Sequence, residues 1–133
     1  MNTPIERLIL TLKTGLSDGV VVTGSMAELT GFRDQAIDRL TEVSFQVSQM
    51  DLYSVDPQPS QTEHDMDILI LWGLEQLPPH DSRSYAIRTH LDVARHQGLR
   101  FIIFCETSRY RAHFLDYDAP FYHFCFPLPL SES

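Results

Sequence analysis

The run Val20-Val21-Val22-Thr23-Gly24-Ser25-Met26-Ala27-Glu28-Leu29-Thr30 reads as a buried strand, a glycine turn and the start of a helix. In nucleotide-binding proteins a phosphate loop stands at such a place. A loop of the GxxxxGK(S/T) type needs glycines, so that backbone amides can wrap the phosphates, and a lysine to reach the outer ones. Gly24 is present here, but the later glycine and lysine positions hold Leu29 and Thr30. Lys13 is the only lysine in the chain, and it lies too far upstream to substitute. The outline of a phosphate site is there without its chemistry, so neither ATP nor GTP, nor any other cofactor, is expected to bind.

Other chemistry-bearing residues fall short of a complete site. Glu63, His64, Asp65 and Asp67 are metal-ligand types, but their spacing matches no known ligand frame, and an acidic loop is the reading adopted. His123 and Cys125 alternate on one strand face with His113 upstream, which is too few ligands for a tetrahedral site. Cys105 with His96 or His90 would make a nucleophile and base, yet no motif orients them. Ser25 follows Gly24 without the Gly-x-Ser-x-Gly elbow. No catalytic and no metal-binding residue is therefore assigned. Trp72 and Gly73 close an apolar strand, and ligands of open parallel sheets bind beyond such strand ends. There Trp72 and Leu29 either fill a vacated pocket or line a repurposed one.

The elements that would position these residues follow from periodicity. Thr3-Pro4-Ile5-Glu6 is a helix start with a cap, a proline at the first position and a capping-box acid. Leu8, Ile9, Leu12 and Leu16 form one apolar stripe, and Gly15 to Gly19 ends that helix. A second helix is expected over about Ala27 to Val43, with Phe32, Ala36, Ile37, Leu40 and Val43 inward. Phe45 to Leu52 alternates at period two, as a half-covered strand near a sheet edge does. Asp56 to Asp65 is a loop, Ile68 to Trp72 a buried strand, and Pro78-Pro79 a stop. Asp81 or Ser82 caps a third helix carrying Ala86, Ile87, Leu91 and Ala94, which ends at Gly98. Phe101 to Cys105 is another buried strand, and Phe121 to Leu130 a last one. Strands alternating with helices predict an α/β fold, three layers deep, around a mainly parallel five-stranded sheet.

Composition narrows the function classes. The 133 residues suit one domain, spanning 1–133. No apolar run approaches the roughly 18 residues that a membrane span needs, and the N-terminus lacks the pattern of a signal peptide. A cytoplasmic protein without membrane insertion is expected. Cys105 and Cys125 sit in apolar runs and read as buried free thiols. A net charge of −8 argues against direct nucleic-acid binding. No lysine or arginine stands between Arg39 and Arg83, where Glu42, Asp51, Asp56, Glu63, Asp65, Asp67, Glu75 and Asp81 fall. Arginines then dominate from Arg83 to Arg111. Such a dipole is either a solvated surface or a docking surface for a protein.

Across nearly its whole length this pattern resembles the AAA+ ATPase domain of the sigma-54-dependent transcription activators, the bacterial enhancer-binding proteins. Gly24 matches the first glycine of that family's Val-Leu-Ile-x-Gly-Glu-x-Gly-x-Gly-Lys pattern, while Ala27, Leu29 and Thr30 replace the other glycines and the lysine. Leu69 to Leu77 resembles the family's second nucleotide motif, with Trp72 and Gly73 where its magnesium-holding acids would be. The sensor position falls near Cys105 or Glu106, and the arginine-finger positions near Asp116 and Tyr122. The loop that touches sigma-54 has no counterpart between Leu52 and Asp67. The resemblance implies a P-loop NTPase-type core without the helical lid, in which Val20–Thr23 lies at the centre of the sheet between the strands Phe101–Cys105 and Phe121–Phe126. The vestigial nucleotide pocket would be Gly24, Ser25, Thr30, Trp72 and Gly73.

The expectation is a non-catalytic interaction protein: a degenerate, pseudo-ATPase core with a regulatory or assembly role in a bacterial cytoplasm. A protein partner is implied, an AAA+ ATPase or a larger assembly among the candidates. Tyr110, Tyr117 and Tyr122 in the aromatic-rich C-terminal segment, and Asp56, Glu63 and Asp65 in the acidic loop, are the expected interface. The alternative is a small enzyme or small-molecule-binding protein that uses the C-terminal edge of the sheet. A receiver-like domain fits less well, because the strand ending at Trp72 supplies no phosphoacceptor aspartate.

Overall fold

The protein's structure, a computed structural model, describes residues 3–15, 17–51, 67–73, 82–116, 119, 121 and 124–130. Its elements run α1 (Pro4–Thr14), β1 (Gly19–Gly24), α2 (Met26–Glu42), β2 (Val47–Asp51), β3 (Ile68–Trp72), α3 (Ser82–His96), β4 (Arg100–Glu106), α4 (Thr107–Tyr110) and β5 (Phe126–Pro129). A π-helical turn over Arg111–Leu115 continues α4. All five strands are parallel, in the order β2-β3-β4-β1-β5.

Two apolar layers sandwich this sheet, because alternate side chains of a strand leave on opposite faces. Val20 and Val22, Ile68 and Ile70, and Ile102 and Phe104 pack against α1 and α2. Val21, Leu69, Leu71, Phe101 and Ile103 pack on the other face, against Ile87 and Leu91 of α3 and against Phe114. Continuous burial along β1 and β3 explains why both read as unbroken apolar runs. The result is a three-layer αβα arrangement.

Helix ends follow their local chemistry. Thr3 Oγ1 accepts from the Glu6 N–H at 3.3 Å, and Gly15 closes α1 in the left-handed region at φ 72°. Ile5, Leu8, Ile9 and Leu12 form the buried face of α1. In α2 the inward set is Leu29, Phe32, Ala36 and Leu40, with Ile37 partly covered. Val43, expected inward, is instead exposed: it caps α2 as the chain turns away at Ser44, φ 74°. Ala86 is likewise exposed, since Ser84, Ile87, Leu91 and Ala94 make the buried stripe of α3.

The order of the sheet agrees with expectation in its essentials. β1 lies inside the sheet between β4 and β5, and β2 lies at an edge, although the middle position belongs to β4. The last strand begins at Phe126, later than expected. Phe121 and Phe124 sit in turns ahead of it, where the Phe124 ring stacks on Phe101 at 5.3 Å. Burying aromatic rings against the sheet face wins over extending the strand. Leu16, Leu52, His64, Pro78, Pro79 and His123 lie outside the described residues, as does the whole Asp56–Asp65 loop assignment.

Candidate functional site

At the C-terminal end of β1 one residue separates strand from helix. β1 ends at Gly24, Ser25 is the N-cap, and α2 begins at Met26. Ser25 Oγ accepts from the Glu28 N–H at 3.2 Å, and Glu28 Oε1 accepts from the Ser25 N–H at 2.8 Å. This reciprocal capping box places a carboxylate of the chain itself against the first amide at the helix start. Its negative charge complements the positive end of the helix dipole, the place an anionic ligand would otherwise take. Gly24 makes room for it, because a Cβ there would stand 3.2 Å from Glu28 Oε1 and 3.4 Å from the Leu130 Cβ. The expected glycine turn is thus a capped helix start, with no loop long enough to wrap a phosphate.

The positions that follow serve the fold. Leu29, where a loop glycine would stand, is buried in the core between the sheet and the helices. Thr30, where the lysine would stand, is exposed and donates its hydroxyl to the Met26 carbonyl at 2.9 Å. Trp72 is buried beside Phe104, ring centroids 5.3 Å apart, and the Arg33 guanidinium lies 4.4 Å over its indole. A cation on an aromatic face is attracted by the ring quadrupole, so Arg33 of α2 and Trp72 of β3 close this corner together. Gly73 follows at φ 90°, a conformation that side chains of L residues rarely adopt. The second acid of a magnesium-binding pair would be strained there.

On β4, Cys105 is buried and not disulfide-bonded, and Cys125 is also a free thiol. Burial pushes the Cys125 thiol far up, although the Arg95 and Arg88 guanidinium groups pull the other way. Nδ1 of His96 lies 2.6 Å from the Asp92 carbonyl in its own helix. Among the described residues no three His, Cys, Asp or Glu side chains come together as a metal set.

The aromatic segment folds inward more than expected. Tyr110 is half-buried and stacks on Phe114 at 5.3 Å, Phe114 stacks on Phe121 at 5.3 Å, and Phe121 tilts against Phe124 at 5.8 Å. Burial, then the Cys125 and Cys105 thiols, raise the Tyr110 pKa above its ordinary value. The Arg95 and Arg88 guanidinium groups cover the Phe124 ring from α3, at 4.7 and 5.2 Å. Among the described residues of this segment, Leu115 at 52% exposure and Phe126 at 40% remain outside. Tyr117, Tyr122, Asp56, Glu63 and Asp65 lie outside the described residues.

His113, upstream of the His123 and Cys125 pair, is buried in the π-helical turn, and its Nδ1 has no hydrogen-bond partner among the described residues. Burial, then the charge of Arg109, lowers its pKa. The irregular turn that places it leaves no mark in residue spacing. Among the described residues, two surface hollows lie away from the edge of the sheet at Gly24 and Trp72. One, of about 460 Å³, is bounded by Glu6, Ile9, Leu10, Lys13, Thr14 and Arg39. The other, of about 180 Å³, is bounded by Tyr85, Arg88, Thr89 and Asp92.

Neither the models of known protein families nor the characterised proteins compared with this chain match it.

Proposed function

We propose that this chain is a non-catalytic protein-interaction module with a regulatory or assembly role in the bacterial cytoplasm. In this reading its core resembles the ATPase core of sigma-54-dependent activators and has given up nucleotide chemistry. The observation that carries the reading is the capping box of Ser25 and Glu28, which sets a carboxylate where a phosphate would bind. Trp72 and Gly73 support it, because neither holds magnesium and Gly73 has a backbone hostile to an acid. The position of β1 between β4 and β5 agrees with the resemblance.

A module of this kind binds through a few anchors, with charge setting rate and selectivity. Phe126 and Leu115 are the exposed anchors on the described C-terminal part, and Tyr110 contributes the outer portion of its ring. The test has two arms. Calorimetry with Mg-ATP and Mg-GTP is expected to give no dissociation constant below about 10 μM; tighter binding would overturn the loss of nucleotide chemistry. The protein used as bait in lysate of its host, with mass spectrometry, is expected to capture a protein partner whose binding weakens in Phe126→Ala. Repeated capture of no protein, together with a small molecule co-purifying at the Trp72 corner, would move the function to that pocket.

A further inference from the structure

The two edges of the sheet differ in a way that selects one of them for a partner. The Leu130 N–H donates to the Thr23 carbonyl at 2.8 Å, and Leu128 is paired with Val22. Backbone groups of a strand alternate in direction, so Phe126 and Leu128 also turn toward β1, and Pro127 and Pro129 turn outward. Proline has no N–H. The outer edge of β5 therefore presents no donor at either outward position, a recognised way of blocking an edge.

β2 has no such protection. The Ile68 N–H donates to the Gln46 carbonyl at 3.0 Å, which fixes Gln46, Ser48 and Met50 as the residues facing β3. Val47, Gln49 and Asp51 then turn their N–H and C=O groups outward. The strand holds no proline and no lysine, and its register runs unbroken from Val47–Ile68 to Asp51–Trp72, without a bulge. Among the described residues no strand lies beyond it. The Gln49 side chain is exposed and Ser48 half-exposed, so the strand is wet on its surroundings and dry only where it meets the core.

Charge says what would pair there. The sequence from residue 40 to 82 contains no lysine or arginine, and it carries Asp51 at the end of this strand and Asp67, which accepts from the Gln46 N–H, at its start. A second copy of the chain, also at net charge −8, would bring the same acids edge to edge. Like charges directly opposed across a strand pair are destabilising. A basic extended segment meets the same edge with attraction.

We infer that the outer edge of β2 is a strand-addition site, which takes a lysine- or arginine-bearing extended segment of a partner protein as a sixth strand. The inference rests on the reading of the chain as an interaction module and supplies the surface and the kind of partner. Main-chain hydrogen bonds to Val47, Gln49 and Asp51 give the affinity, and the acidic surroundings give the preference for basic side chains.

The probe is the capped hexapeptide acetyl-Lys-Val-Lys-Val-Lys-Val-amide, read by its effect on backbone amide NMR signals. Shifts are expected at residues 47, 49 and 51, with saturation below about 1 mM peptide. A version N-methylated at every residue keeps every charge and side chain but has no residue N–H to donate from either edge, and should bind at least about tenfold more weakly. The Glu-for-Lys peptide should bind more weakly still. Gln49→Pro removes one outward N–H without touching a bond to β3, as Pro127 and Pro129 do on β5, and should abolish the shifts while Tm stays within about 4 °C. Equal binding of the N-methylated peptide, on wild-type protein and so independent of any variant, would reduce the effect to charge attraction and overturn the inference. So would shifts centred away from β2, or none up to about 1 mM. If these fail while a captured partner depends on Phe126, the strand site is wrong and the interaction reading stands; if no protein partner exists, the interaction reading itself fails.

Discussion

Glu28 does by intramolecular means what a bound phosphate would do at the start of α2, and that decides how single substitutions there should behave. Thr30→Lys is expected to leave the protein without measurable Mg-ATP binding by calorimetry, because the new lysine would extend from an exposed helical position while Glu28 still occupies the Ser25 amide. Ser25→Ala should cost about 1 kcal/mol in urea unfolding, the usual worth of an N-cap. His113 gives a second residue-scale expectation. Its folded pKa lies below the unfolded value of 6.5, so the unfolded chain binds the proton more readily. The contribution of His113 is fully present above the unfolded value and is lost as pH falls below it. Its slope can reach at most about 1.4 kcal/mol per pH unit. His113→Leu should therefore flatten the acid side of the stability curve measured by urea unfolding between pH 7 and 5. An unchanged slope would mean that His113 is not the group responsible.

Three glycines separate the reasons an element needs one. A Cβ at Gly19 would run into the ring of Phe101, its partner in register on β4. Gly19→Ala should destabilise by about 1–3 kcal/mol, the cost of overpacking. Gly15 has open space around it, but it caps α1 at φ 72°. Gly15→Ala should cost about 1 kcal/mol through backbone strain alone. Gly31 is exposed inside α2, with nothing near its missing Cβ. Gly31→Ala should stabilise by about 0.5–1 kcal/mol, since alanine is the better helix former and loses less freedom on folding. Thermal unfolding of the three variants checks both sign and order.

Seen whole, the described residues bury Trp72, Phe101, Phe104, Phe114, Phe121, Phe124 and Cys105, and the sequence keeps its charge in blocks. An acidic sequence from Glu42 to Asp81 precedes an arginine-rich one from Arg83 to Arg111. Part of the arginine block is spent on the fold: Arg88 and Arg95 cover Phe124, Arg100 lies 5.8 Å from the Phe45 ring, and Arg95 pairs with Asp92 at 2.7 Å. The acidic block is the field proposed for steering a partner. Reversing Asp56 and Glu63 to lysine should slow association with a captured partner and weaken its dependence on salt, while Phe126→Ala should speed dissociation. Surface plasmon resonance at two ionic strengths separates the effects, and an unchanged association rate in the reversed variant would remove steering from the account. No helix among the described residues is long and apolar enough to cross a membrane.

Elements that depend on short-range pattern were legible in the residues themselves. Val20 to Thr23, Ile68 to Trp72 and Phe101 to Cys105 are buried on both sides, so each reads as an unbroken apolar run whatever lies beside it. Thr3, Pro4 and Gly15 mark the ends of α1 by their own backbone and side-chain chemistry. That no lysine stands at Thr30 and no acids stand at Trp72 and Gly73 is likewise a matter of residue identity. What spacing could not supply is how distant side chains share space. Phe121 and Phe124 look like strand residues until Phe101, Phe114 and two arginines of α3 offer their rings a better contact. Ser25 and Glu28 have the capping-box spacing of Thr3 and Glu6, so that cap is written in the residues, whereas the single-residue passage from β1 to α2 that leaves no longer loop is not. Which edge of the sheet keeps its donors depends on the parity of pairing, since a one-residue slip would turn Pro127 and Pro129 inward and free the other edge. That parity exists only once the strands have met.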